Sequence, residues 1–98
     1  MPKLTADQRD ADALQSFLHQ QGLAHLRVTR RADLLTIESA PTDDSIQHAR
    51  FRRVTPLRWR LEMSTRPRRW ETTPFIGVLT EVQQLLVDSF PWMLTSRE

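Results

Sequence analysis

The sequence predicts an α+β fold: an antiparallel meander of four to five strands, with an N-terminal and a C-terminal helix packed on one face of it. Three observations carry this prediction. Apolar residues recur at helical spacing at both ends of the chain, and they alternate strictly with polar ones in the middle. The links between the alternating runs are also too short for crossover helices, so neighbouring strands must run antiparallel. The predicted order is α-β-β-β-β-(β)-α, in a single domain over residues 1–98.

The first helix is predicted over residues 6–21. Thr5-Ala6-Asp7-Gln8 has the form of a capping box, and Asp7 and Asp10 suit the positive end of the helix dipole. Ala11, Leu14, Phe17, Leu18 and Gln21 share one face, and Gly22 is a natural stop. Alternation then takes over. Leu26, Val28 and Arg30 alternate with Arg27 and Thr29, and after a turn at Arg31-Ala32-Asp33, Leu35, Ile37 and Ser39 alternate with Thr36 and Glu38. Residues 41–45 read as a loop. Ala49 and Phe51 alternate with Arg50 and Arg52, and Thr55-Pro56 makes the next turn. The strongest strand signal is Leu57, Trp59, Leu61 and Met63 against Arg58, Arg60 and Glu62. Arg66-Pro67-Arg68 is a further turn, after which Trp70 and Thr72 continue a short fifth strand, with Trp70 assigned to the apolar phase. Thr73-Pro74 opens the second helix, whose face carries Leu79, Val82, Leu85, Leu86, Ser89 and Phe90, and Pro91 ends it.

Composition narrows the function. The chain has no cysteine, which excludes disulfides and thiolate metal sites. Met1-Pro2-Lys3-Leu4-Thr5 has no signal-peptide character, and no run approaches the roughly 20 apolar residues of a membrane span, so a cytoplasmic location with no membrane partner is expected. Net charge is only +2 but unevenly spread. Lys3 and Arg9 against Asp7, Asp10 and Asp12 leave the first 26 residues at −1; eleven arginines against five carboxylates put residues 27–69 at +6; and residues 70–98 stand at −3. Thirteen of the fourteen basic residues are arginine, the residue suited to carboxylate and phosphate, although codon bias in a GC-rich genome gives the same skew.

Catalytic patterns are missing. His19, His25 and His48 make no paired spacing and read as surface histidines, so no metal site is expected. The serines sit in no nucleophile elbow, Asp43-Asp44 reads as a loop rather than an acid/base pair, and the isolated Gly22 and Gly77 form no phosphate loop. No cofactor and no enzymatic activity are predicted.

Two surfaces remain. Strand alternation collects Arg27, Arg50, Arg52, Arg58, Arg60 and Arg69 on the side of the sheet away from the helices, with Glu38, Glu62 and Glu71 among them. Such a face suits an acidic protein or nucleic-acid phosphates; the alternative is a solvated face of cross-strand ion pairs. With Phe51, Trp59 and Trp70 assigned to the core, no aromatic interleaves with the arginines to stack bases, which favours a protein partner. The second surface is Phe90-Pro91-Trp92-Met93-Leu94. Phe90, Trp92 and Met93 either seal the core or form a docking or homodimer interface.

The stretch Arg58-Trp59-Arg60-Leu61-Glu62-Met63, then Arg69-Trp70-Glu71, then a helix ending Asp88-Ser89-Phe90-Pro91-Trp92 resembles a family of small bacterial α+β domains of unknown function, over about residues 48–94. The resemblance supports the α+β architecture and implies no activity and no site residue. The sequence thus reads as a non-enzymatic binding or accessory module for an acidic partner, with phosphate-backbone binding of nucleic acid as the alternative.

Overall fold

The computed structural model describes residues 4–39, 47–66 and 69–90. Helix α1 spans Gln8–Gln20, and strands β1 (Leu26–Arg31), β2 (Leu34–Ser39), β3 (Gln47–Thr55), β4 (Arg58–Arg66) and β5 (Arg69–Gly77) follow, before helix α2 (Leu79–Ser89). The five strands form one antiparallel sheet in sequence order, a meander. The α+β fold expected from the alternation is the fold adopted, with the fifth strand nine residues long rather than short.

One cluster of side chains joins the layers. Leu26, Val28, Leu35, Ile37, Ala49, Phe51, Trp59 and Leu61 from β1 to β4 pack with Ala11, Leu14 and Leu18 of α1 and Val82 and Leu86 of α2. Cross-strand register aligns them: Val28 with Ile37, Ile37 with Ala49, Leu35 with Phe51, Phe51 with Leu61. Phe51 is fully enclosed, so Phe51→Ala removes a side chain whose loss costs about 3–5 kcal/mol. Among the described residues no helix is long and apolar enough to cross a membrane.

Two helix starts differ from the sequence expectation, and Leu57, read as the first apolar residue of the fourth strand, instead lies in the β3–β4 turn, 76% exposed. The capping box at Thr5 does not form: the N-cap is Asp7, without a side-chain cap bond. Ala6 is buried and donates its N–H to the Ala32 carbonyl at 2.7 Å, which keeps residues 5 and 6 out of the helix. Ala32 itself sits at φ 53° in the β1–β2 turn, a conformation that a non-glycine residue adopts at a cost. The second helix does not open at Thr73-Pro74 but at Leu79. Thr73 Oγ1 donates to the Leu61 carbonyl and accepts from Phe75 N–H, and Gly77 still pairs with Trp59, so the chain stays extended through Gly77. The C-terminal stop of α1 is as expected: Gly22 has φ 85°, and the N–H groups of Gly22 and Leu23 bond the carbonyls of His19 and Leu18, the pattern of a Schellman cap.

Helix α1 also seals one sheet edge. Gln8, Gln15 and His19 form a polar seam along β1: Gln15 Oε1 accepts the Val28 N–H (3.0 Å), the His19 ring bonds the Leu26 carbonyl (2.8 Å), and Gln8 Oε1 accepts from Arg30 (3.3 Å). Backbone groups of an edge strand that would otherwise be open to another chain are thus occupied from within. Arg53, on the helix side of β3, anchors the start of the helix. Its guanidinium lies 5.2 Å from the Trp59 ring, donates to the Thr5 carbonyl at 2.8 Å and stands 3.7 Å from both Asp7 and Asp10.

Candidate functional site

The candidate site is the sheet face opposite the helices. The residues that alternate with the core positions gather there: Arg27 partners Glu38, Arg50 partners Glu62, Arg52 partners Arg60, and Leu34 and Thr36 lie between them on β2. Five of the six arginines read from the sequence, Arg27, Arg50, Arg52, Arg58 and Arg60, follow this phase. Arg69, exposed, opens β5 opposite Arg66 across a register shift.

The centre of the face is Glu62. It is only 4% exposed yet ionised, because Arg50 Nε donates to one carboxylate oxygen at 2.6 Å and Arg52 Nε to the other at 3.0 Å. Burial alone pushes its pKa up, but the bonds from Arg52 and Arg50 outweigh it and hold the carboxyl below its ordinary value. The same bond to Glu62, against the opposing effect of burial and helped by Asp33, raises the pKa of Arg52. Arg52 also donates to Asp33 at 3.1 Å, while Asp33 accepts the Arg53 N–H through its own carbonyl. Arg27 lies 3.8 Å from Glu38, and Thr29 donates to Glu38 at 2.9 Å. Arg27, Arg50 and Arg52 thus each have a carboxylate within reach, which is the cross-strand pairing that the sequence offered as an alternative.

On β4 and β5 the arrangement changes. Among the described residues, Arg58, Arg60 and Arg69 take part in no ion pair. Arg60 faces the like charge of Arg52 on one side and the exposed Ile76 on the other.

Trp70 corrects the sequence reading. It does not lie on the apolar phase; it pairs with Ser64 and stands under Arg50, whose guanidinium is 4.2 Å from the ring centre. The β4–β5 hairpin, with a register shift between Ser64 and Arg66, carries the phase across the turn so that Trp70 and Thr72 fall beside Ser64 and Glu62. Glu71 partners Met63 and so leaves the arginine face. Hydrophobicity assigned Trp70 to the core, whereas the register of the hairpin puts it beside Ser64 on the arginine face.

His48 is a second correction. It is 2% exposed rather than on the surface, and its Nε2 is bonded to Ser39 Oγ. The register shift in β2–β3, where Ile37 partners Ala49 but Glu38 partners Gln47, lets His48 and Ala49 both point inward. A serine next to a histidine is the beginning of a nucleophilic dyad. Here the ring is enclosed, and the pair joins two strands where they enter the loop. The described residues contain no group of three or more His, Cys, Asp or Glu that could hold a metal. Phe90 packs its ring against Phe75, with centroids 5.8 Å apart. Trp92 and Met93, and the pair Asp43-Asp44, lie outside the described residues.

No family model, no curated protein and no solved structure matches the chain.

Proposed function

We propose that the protein is a non-enzymatic binding module that engages an acidic protein partner through the arginine-bearing sheet face, as a small accessory subunit would. The observation that carries this reading is the pair Arg58 and Arg60. Both stand on the open face with no carboxylate partner among the described residues, and Arg60 lies opposite an Arg52 already neutralised by Glu62 and Asp33. A guanidinium left without a partner next to a like charge offers its N–H donors to a carboxylate from outside. A cysteine-free chain is compatible with work in the cytoplasm.

A second reading rests on Trp70. An aromatic ring on the arginine face gives nucleic acid one stacking surface beside phosphate-binding groups. Against it, Arg50 already lies over that ring.

Fluorescence anisotropy with a labelled oligoglutamate peptide and a labelled DNA duplex, each over a salt series, separates the two. Peptide binding that is lost in the Arg58→Glu, Arg60→Glu double variant supports the first reading. Preferential duplex binding, with an affinity that falls on a logarithmic salt plot with a slope near −0.9 per phosphate contact, supports the second. Binding of neither overturns both.

A further inference from the structure

Of the five large apolar side chains exposed among the described residues, four gather at one end of the molecule. Leu57, at the tip of the tight link between β3 and β4, is 76% exposed; Phe75, Ile76 and Val78, where β5 leads into α2, are 36%, 45% and 37% exposed. Register places these side by side, since Trp59 partners Gly77 and Arg60 partners Ile76. Beside them is a groove of about 320 Å³ lined by Pro74, Phe75, Ile76, Val82 and Leu85, with Glu81 in its wall. The Glu81 carboxylate leans over the bare backbone of Gly77: a Cβ there would lie 3.6 Å from Oε2.

We propose that this end is a two-fold interface with a second copy of the chain, in which Leu57 enters the partner subunit's groove and Arg58 meets the partner's Glu81. A surface that pairs with itself must carry both a protrusion and the recess that receives it. Leu57 and the groove are such a pair on one patch. Arg58 and Glu81, of opposite charge, flank the patch, and neither is in an ion pair among the described residues. A cluster of exposed apolar side chains beside a recess is what a protein interface presents and a monomer surface seldom does. The inference needs no acidic partner, but it shares ground with the arginine-face reading: Arg58 belongs to both, and Ile76 lies opposite Arg60; Leu57→Glu, which leaves both arginines in place, separates the two.

Sedimentation velocity over a concentration series, with no other partner present, tests it. The wild-type chain is expected to dimerise reversibly. Leu57→Glu and Ile76→Glu, both at exposed positions, should each give a monomer with an unchanged circular dichroism spectrum. Arg58→Glu and Glu81→Arg should each raise the dissociation constant about tenfold or more, and the two together should restore it. A wild-type chain that stays monomeric at every concentration overturns the proposal. So does a dimer that survives both Leu57→Glu and Ile76→Glu.

Discussion

The two sides of the sheet differ in which arginines have a carboxylate within reach, although on the better-paired side Arg27 Nε is buried without a hydrogen-bond partner. On the β1–β3 side, Gln8, Gln15 and His19 occupy the strand edge, and Glu38, Glu62 and Asp33 occupy Arg27, Arg50 and Arg52. On the β4–β5 side, Arg58 and Arg60 find no carboxylate among the described residues, no described strand pairs beyond β5, and Leu57 and Ile76 face outward. The same residue type thus does two jobs. An arginine within reach of a carboxylate on a neighbouring strand holds the sheet together, as Arg50 does opposite Glu62 and Arg52 does diagonally from it; Arg60, opposite Arg52, and Arg58, opposite Thr55, have none among the described residues. Composition cannot separate the two, but register does.

The largest effect expected from this comparison lies at Glu62. Glu62→Gln leaves two guanidinium groups without their shared carboxylate and should cost about 2–3 kcal/mol in urea unfolding. That is below the 3–5 kcal/mol typical of a fully buried pair, because Arg52 reaches solvent. A loss below about 0.5 kcal/mol would show that the paired side is no better organised than the open one. The pH dependence has a definite sign. Since folding lowers the pKa of Glu62 beneath its ordinary value near 4.5, its contribution is complete above that value and is lost as pH falls through the lower folded-state value. The stability gap between wild type and Glu62→Gln should therefore be full at pH 7 and close in the acid range below pH 4.5. A gap that widens on acidification would reverse the assignment.

The next effect is at the sealed edge. Gln15→Ala strands the Val28 N–H and should cost about 1 kcal/mol, with faster hydrogen exchange at Val28 itself. Trp70→Leu, at the boundary between the two sides, removes the ring beneath Arg50 and should cost about 0.5–1 kcal/mol. The smallest effect is on the open side: Arg58→Gln and Arg60→Gln should each stay within about 0.5 kcal/mol of wild type. If either destabilises as much as Glu62→Gln does, the division between the two sides fails.

Much of this was legible in the chain. Strict alternation in Trp59 to Met63 fixes the phase of β4, though not the place of Leu57, and short links fix the meander. Helical spacing picks out Leu14, Leu18, Val82 and Leu86, all of which are in the core. The misreadings share one cause: tertiary contacts override local signals. Ala6 bonds Ala32, twenty-six residues away, and this displaces the capping box; Thr73 bonds Leu61, and this keeps Pro74 in a strand. The positions of Trp70 and His48 depend on register shifts within the sheet, which no single strand's pattern records. Which arginines are paired was equally hidden, because pairing is a property of neighbouring strands.

The most direct test of the central claim is the affinity of oligoglutamate for three chains: wild type, Arg58→Glu with Arg60→Glu, and Arg27→Gln. If the unpaired arginines are the docking site, the double variant loses binding while Arg27→Gln, already committed to Glu38, retains it. Binding that survives the double variant, or that falls equally in both, would contradict the claim that register has set Arg58 and Arg60 apart.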